Sequence, residues 1–181
     1  MIDEIMEYNR KFVENKGYEP YLTSKYPDKK LAILTCMDTR LLELLPAALG
    51  IKNGDAKIIK NAGGVIVHPY GSVVRSLLVG ILELGVEEVM VIGHTDCGVQ
   101  GMDGHEMLEK LVERGIDQQH IDIVRHSGID LERWLGGFES VESSVHETVR
   151  SLKEHPLMPK NVRISGFIMD SATGELTRVE E

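Results

Sequence analysis

The feature that most constrains this fold is an apolar run that ends directly in reactive side chains. Residues 31–35 have the sequence LAILT, which predicts a strand buried on both faces. The run continues into Cys36, Asp38 and Arg40, which carry a thiol, a carboxylate and a guanidinium at spacings of two. Because side chains alternate between faces in extended backbone, this spacing predicts that all three lie on one side. The sequence therefore indicates a functional site at the end of a buried strand.

A similar arrangement recurs later in the chain. Residues 88–93 predict a second buried strand, and His94 and Cys97 follow it. The chain contains 2 cysteines, and each stands at the carboxyl end of an apolar run. In open parallel sheets, ligands bind beyond the carboxyl ends of strands, at the point where the strand order reverses. With an assumed order of 2-1-3-4, that point lies between these two strands and brings both groups of residues together.

The rest of the chain alternates strand and helix patterns. Strands are predicted over 56–60, 162–170 and 176–179, the last two as an antiparallel hairpin. Helical patterns cover residues 2–16, 41–49, 69–84, 105–114, 117–126, 130–135 and 138–155. Pro46 must lie in the first turn of its helix or bend it. The prediction is an α/β fold with a mostly parallel central sheet of order 2-1-3-4, a C-terminal antiparallel edge strand and flanking helices.

Length and composition favour a single domain over residues 1–181. With 42% hydrophobic residues, the chain can bury a core without disulfide bonds. Two cysteines without a secreted-type spacing suit a reducing compartment. The first residues are acidic and lack the apolar h-region of a signal peptide, and no uncharged apolar run is long enough to span a membrane. A net charge of −9 without a Lys/Arg stripe disfavours nucleic acid. We expect a soluble cytoplasmic protein with no nucleic-acid or membrane partner.

Cys36, His94 and Cys97 form a ligand set that zinc favours. Three protein ligands leave a fourth tetrahedral position open, which is typical of catalytic rather than structural zinc. The alternatives are a pair of buried thiols and, for Asp38 and Arg40, a purely structural ion pair. Asp96 stands between two of the ligands, and the sequence leaves open whether it supports the site or only forms a turn.

Three short blocks make the chain resemble the β-class carbonic anhydrases, in particular the smaller, archaeal-like branch. The blocks are TCMDTR at residues 35–40, KNAGG at residues 60–64 and GHTDCG at residues 93–98. The similarity extends through DSATG at residues 170–174 and so covers nearly the whole chain. Together the blocks are highly specific.

The resemblance implies a role for each matching residue. Cys36, His94 and Cys97 match the ligands of one zinc ion per chain, and Asp38 and Arg40 match the family's catalytic dyad. Asp38 would accept a hydrogen bond from a zinc-bound hydroxide, while Arg40 keeps Asp38 ionised and correctly oriented. If Arg40 released it, Asp38 could become a fourth zinc ligand in a closed, inactive state. The sequence leaves open which state is at rest.

The resemblance also implies features beyond the ligands and the dyad. The backbone at Gly63 and Gly64 is expected to line the substrate pocket. The family forms dimers and larger homo-oligomers in which each active site lies near a subunit boundary. Residues 1–25, an N-terminal helix and arm, are candidates for packing on a partner subunit.

The function implied is zinc-dependent, reversible hydration of carbon dioxide to bicarbonate and a proton by zinc-bound hydroxide. Relatives with similar blocks hydrolyse carbon disulfide or carbonyl sulfide, and the sequence does not separate these substrates. A non-catalytic, zinc-stabilised binding protein is the remaining alternative, and the intact Asp38 and Arg40 argue against it. A nucleotide enzyme is poorly supported, because no Gly-x-Gly-x-x-Gly follows a strand.

Overall fold

A computed structural model describes residues 1–179, whose strands form one mixed sheet. The strands are β1 (Leu31–Cys36), β2 (Ala56–Asn61), β3 (Glu88–His94), β4 (Arg163–Met169) and β5 (Leu176–Arg178). Their order is β2-β1-β3-β4-β5, with β1 to β4 parallel and β5 antiparallel to β4. The predicted fold class and strand order are confirmed.

Helices flank the sheet and connect its strands. They are α1 (Ile2–Glu14), α2 (Leu44–Ala48), α3 (Ser72–Leu84), α4 (Gly104–Glu113), α5 (Gln118–His126), α6 (Leu131–Leu135) and α7 (Val141–Glu154). Short 3-10 turns occur at Glu19–Tyr21, Thr39–Leu41 and Ala62–Gly64. The helix predicted over residues 41–49 is shorter than expected. It contains Pro46 in its first turn, where the missing N–H has no intrahelical partner to lose.

The two faces of the sheet pack against different helices. Val89 and Val91 of β3 belong to a buried cluster with side chains of α3 and α7. Ile92, the next residue, points to the opposite face and packs in a second cluster with Leu45 of α2. This second cluster also contains Cys36 and Cys97, so both cysteine side chains are buried in the core.

The N-terminal helix differs from the others in its packing. Within the described chain, α1 contributes no buried side chain, and Ile2, Ile5, Met6 and Val13 are all exposed. Acidic residues begin the helix and Lys11 lies in its last turn, as the helix dipole favours. Nowhere in residues 1–179 is there a helix with the length and apolarity needed to cross a lipid bilayer.

Candidate metal centre and active site

The sheet topology brings together the segments that carry Cys36 and His94. β1 and β3 are parallel neighbours, and Thr35 is paired with Ile92. The carboxyl ends of both strands therefore lie at the same edge of the sheet, so that Cys36 at the end of β1 is close to His94 at the end of β3. Cys97 follows three residues later.

Cys36, His94 and Cys97, here called the ligand cluster, meet at this edge. One ligand atom from each lies within 4.8 Å of the others, and all three residues are buried. The sulfur atoms of Cys36 and Cys97 are 3.9 Å apart. Two sulfurs bound to one tetrahedral zinc at about 2.3 Å lie roughly 3.8 Å apart, so the spacing fits a shared ion.

The His94 ring is prepared to bind a cation. Its Nδ1 lies 2.9 Å from the Thr95 carbonyl oxygen, which can only accept, so Nδ1 carries the proton. This tautomer leaves a lone pair on Nε2. Among residues 1–179, His94 Nε2 is the buried side-chain nitrogen or oxygen without a hydrogen-bond partner. A buried, unpartnered acceptor beside two sulfurs is what a metal ligand requires, and the carbonyl bond on the other nitrogen fixes the ring.

The electrostatics of the two sulfurs also fit a cation. Burial raises the pKa of the Cys97 thiol, and the nearby Cys36 sulfur adds to this effect. Two adjacent buried thiolates would repel one another without positive charge between them. Coordination to a metal ion deprotonates a thiol outright, so a bound cation would stabilise both sulfurs in the form that ligates. The donor set is the one that zinc favours.

A second group, here called the Asp–Arg–Asp bridge, lies beside the cluster and consists of Asp38, Arg40 and Asp96. Arg40 donates from Nε and Nη2 to the two carboxylate oxygens of Asp38, at 3.0 and 2.9 Å. It also donates from Nη1 to Asp96 Oδ2 and from Nη2 to the Asp96 main-chain oxygen, both at 2.8 Å. One guanidinium thus joins the segment after β1 to the segment after β3.

The bridge fixes the charge of its members. Hydrogen bonds from Arg40 hold the pKa of the Asp38 carboxyl well below its usual range. Bonds to Asp38 and then to Asp96 raise the pKa of the Arg40 guanidinium. Asp38 is therefore an ionised acceptor, and its Oδ2 lies 3.9 Å from His94 Nε2. The Asp38 carboxylate therefore lies next to His94, a candidate metal ligand.

One sequence expectation about this segment is wrong. Asp38 and Arg40 do not extend the strand on one face, because β1 ends at Cys36 and the chain turns. Asp38 instead caps the 3-10 turn Thr39–Leu41 by accepting the Arg40 main-chain N–H at 2.9 Å. The capping turn, and not extended backbone, folds the Arg40 side chain back onto Asp38.

The sequence left open whether Asp96 supports the site or only forms a turn, and the structure shows both a turn and a contact with Arg40. Asp96 lies in a turn with a φ of +53°, and its side chain and main chain both bind Arg40. Sequence reasoning missed the support behind the neighbouring Thr95, whose hydroxyl accepts the Ser171 main-chain N–H at 3.0 Å. These partners are 56 and 76 residues apart in the chain, so no local pattern could reveal them.

Gly64 packs directly behind the first ligand. It has a φ of +67°, and a Cβ at this position would lie 2.9 Å from the Thr35 carbonyl carbon and 3.0 Å from the Cys36 nitrogen. A Cβ on Gly63 would lie 3.0 Å from the Phe138 ring. The structure thus gives Gly64 a packing role against the backbone that carries Cys36. The predicted role of both glycines in lining the substrate pocket stays a prediction.

Comparison with known proteins agrees with this geometry. A family model described as carbonic anhydrase matches residues 31–176. YvdA of Bacillus subtilis (strain 168), provisionally named a carbonic anhydrase, is 52% identical over 175 residues, which cover 97% of this chain and 89% of YvdA. A carbon disulfide hydrolase of Saccharolobus solfataricus is 32% identical over 163 residues, covering 83% of this chain and 78% of the hydrolase. The crystal structure of β-carbonic anhydrase isoform I from Trichomonas vaginalis matches with a TM-score of 0.88 at 35% identity, covering 99% of this chain and 97% of that one.

The fold and the site define an α/β protein with a candidate metal centre at the switch point of its sheet. The chain belongs to the carbonic anhydrase family, in its β class. This family is metal-dependent, and the ligand cluster of this chain is suited to hold a metal ion. The resemblance inferred from the three sequence blocks is confirmed.

Proposed function

We propose that this chain is a zinc carbonic anhydrase that catalyses the reversible hydration of carbon dioxide to bicarbonate and a proton. The observation that carries the proposal is the unpartnered, buried Nε2 of His94, which lies beside two sulfurs and 3.9 Å from an ionised Asp38. Membership of the carbonic anhydrase family supports the same reaction.

In the proposed enzyme, Cys36, His94 and Cys97 hold one zinc ion per chain. When bound, zinc lowers the pKa of a coordinated water and so supplies a nucleophile near neutral pH. His94 contributes through its fixed tautomer, since the Nδ1–H bond to the Thr95 carbonyl keeps the Nε2 lone pair available. Burial of all three residues excludes solvent from the ligand side of the site.

Asp38 and Arg40 are proposed to orient the reacting groups. An ionised carboxylate accepts hydrogen bonds and cannot donate them, so Asp38 would align a hydroxyl whose proton points toward it. That alignment leaves an oxygen lone pair free for the carbon of carbon dioxide. Arg40 keeps Asp38 ionised and fixes both of its oxygens through a two-point contact.

Stopped-flow measurement of carbon dioxide hydration on the zinc-loaded protein tests the proposal. We expect turnover well above buffer controls and about one zinc per chain. Removal of the metal with a chelator should abolish turnover, and restored zinc should return it. The proposed chemistry would be refuted if carefully prepared protein contained almost no zinc and still hydrated carbon dioxide.

Hydrolysis of carbon disulfide or carbonyl sulfide is a second candidate activity. It is favoured by the 32% identity to a protein named carbon disulfide hydrolase, which matches over 83% of this chain. Both reactions would use the same ligand cluster and Asp38, so that access to the site decides between them. Assays of one zinc-loaded preparation on carbon dioxide, carbon disulfide and carbonyl sulfide distinguish the two. Turnover on none of them would favour a non-catalytic, zinc-stabilised binding protein.

We also propose that the chain acts as a cytoplasmic homodimer or larger homo-oligomer. The exposed apolar side chains of α1, within residues 1–25, support packing against a second copy. Sedimentation of the wild type and of an Ile5→Glu variant tests this arrangement. We expect the variant to shift toward the monomer, whereas unchanged sedimentation would remove α1 from the interface.

A further inference from the structure

Arg40 is held from two sides, and only its contact with Asp38 belongs to the proposed catalytic dyad. Two of its bonds reach the Asp38 carboxylate. Two more reach Asp96, one to the carboxylate and one to the main-chain oxygen. All three guanidinium nitrogens are thereby engaged. The Arg40 guanidinium is thus bound to Asp96 as well as to Asp38.

The backbone of Asp96 is unusual. Its φ of +53° places it in the left-handed region, a conformation that among the non-glycine residues of the described chain is otherwise found only at Lys16 and Lys30. Aspartate and asparagine tolerate this region better than most side chains. At this position the main-chain oxygen and the carboxylate of one residue reach the same guanidinium. The turn between His94 and Cys97 therefore presents a two-point acceptor for Arg40.

The restraint on Arg40 matters because Asp38 has two possible partners. Its Oδ2 accepts from Arg40 Nη2 at 2.9 Å and lies 3.9 Å from His94 Nε2, the nitrogen that would bind metal. A cation in the ligand cluster would attract this carboxylate, and a small movement would let it coordinate. Arg40 opposes that movement by holding both oxygens of Asp38.

We propose that Asp96 is a positioning residue that acts through Arg40 and keeps the Asp38 carboxylate away from a metal bound in the ligand cluster. This inference rests on the proposed metal centre but not on the identity of the substrate. The Asp96 side chain is 86% exposed, so that water screens its ion pair with Arg40. Loss of the carboxylate should therefore shift the balance of Asp38 between Arg40 and the metal by about two- to fivefold.

Cobalt-loaded protein provides a test that does not depend on turnover, because cobalt(II) absorption reports the ligands of the ion. The variants are Asp96→Asn and Asp96→Gly, since both residues tolerate positive φ and both keep the main-chain bond to Arg40. Asp122→Asn is the control, since it removes one half-exposed carboxylate from α5, which is not part of the site. Azide serves as the probe of the open coordination position.

In Asp96→Gly, azide affinity should fall by about two- to fivefold, and the cobalt spectrum should change toward carboxylate ligation. Asp96→Asn should have a smaller effect, because its amide oxygen can still accept from Arg40. The difference from wild type should shrink at higher ionic strength, where exposed charges are screened. In an Asp38→Asn background, Asp96→Gly should no longer alter azide affinity, since its effect runs through Asp38.

The outcomes separate this inference from the proposed reaction. Wild-type azide affinity and spectrum in Asp96→Gly would overturn the positioning role, as would an equal effect in Asp122→Asn or an effect that persists without Asp38. Cobalt binding with the expected shift, but no carbon dioxide hydration by the zinc form, would overturn the reaction alone. Failure of the wild type to bind cobalt would overturn both.

Discussion

The ligand cluster and the Asp–Arg–Asp bridge lie side by side, yet water reaches them very differently. The His94 side chain is completely buried, whereas the side chains of Arg40 and Asp96 are 40% and 86% exposed. Asp38 lies between these extremes, with 16% of its side chain exposed. The two groups share the carboxyl ends of β1 and β3 and differ mainly in their distance from solvent.

This difference sets how strongly each group controls the site. A buried polar atom without a hydrogen-bond partner destabilises the fold, so we expect a bound ion to satisfy His94 Nε2 in the ligand cluster. Exposed ion pairs contribute little individually, because water and salt screen them. We therefore expect substitutions in the ligand cluster to abolish function and substitutions in the bridge to have effects that decrease from Asp38 to Asp96.

The largest effect should follow removal of the imidazole from the ligand cluster. His94→Ala should lower zinc content to near zero and reduce carbon dioxide hydration by more than about 100-fold, because two sulfurs alone bind zinc weakly. Elemental analysis and stopped-flow assays provide the measurement. His126→Ala, an exposed histidine of α5, should retain zinc and activity. One zinc per chain in His94→Ala would show that the metal binds elsewhere.

Substitution of the partly buried member of the bridge should separate metal binding from turnover. Asp38→Asn should retain about one zinc per chain but lose roughly 100-fold in hydration rate, because the neutral amide orients the nucleophile poorly. The same two assays measure this, with Asp122→Asn as the charge-matched control. Full activity in Asp38→Asn would mean that the bridge has only a structural role.

Packing behind the buried sulfurs can be tested without the metal. Gly64→Ala should lower the free energy of unfolding by about 2–4 kcal/mol, because it adds a Cβ against the backbone of Thr35 and Cys36 at positive φ. Gly50→Ala is a matched control, since Gly50 has a φ of +62° and no atom within 4 Å of the added carbon. It should lose only about 1 kcal/mol. Equal losses in urea denaturation would show that the close approach at Gly64 is unimportant.

The smallest effect concerns Asp170, a partly exposed carboxylate outside the bridge. Hydrogen bonds from the main chain and hydroxyl of Thr173 lower the pKa of Asp170 from its ordinary value of 3.8. A carboxylate whose pKa is lower in the folded state than in the unfolded state stabilises the fold at any pH above its unfolded-state pKa. This stabilisation is lost as pH falls through the folded-state pKa. Asp170→Asn should therefore lower the melting temperature slightly at neutral pH, and the difference should shrink in acid. A difference that does not change with pH would contradict this assignment.

The fold was largely predictable because its signals are local. Apolar runs bounded by turn residues predicted every strand of the sheet within residues 1–179, and the closing hairpin followed from a turn between two such runs. Helix boundaries were less accurate. The helix predicted over residues 41–49 failed at its start because Asp38 caps a separate 3-10 turn and Pro46 fits only the first turn of a helix.

The site was predictable in its members but not in its connections. The position of Cys36, His94 and Cys97 after buried strands was enough to group them as a candidate metal site, and the structure brings them together. The expected arrangement of Asp38 and Arg40 along extended backbone was wrong, although the two side chains do meet. The contact of Asp96 with Arg40 had no sequence signal, because the partner comes from another strand's end.

The amino-acid sequence by itself determined which segments are strands and which side chains stand where those strands end. These properties depend on hydrophobic periodicity and turn chemistry, which act between residues a few positions apart. Only the tertiary structure decided that Cys36 and Cys97, 61 residues apart, have sulfurs 3.9 Å from each other, and that one guanidinium joins two acidic residues. Such contacts depend on strand order, register and turns, which are set by the packing of the whole sheet and not by any short segment.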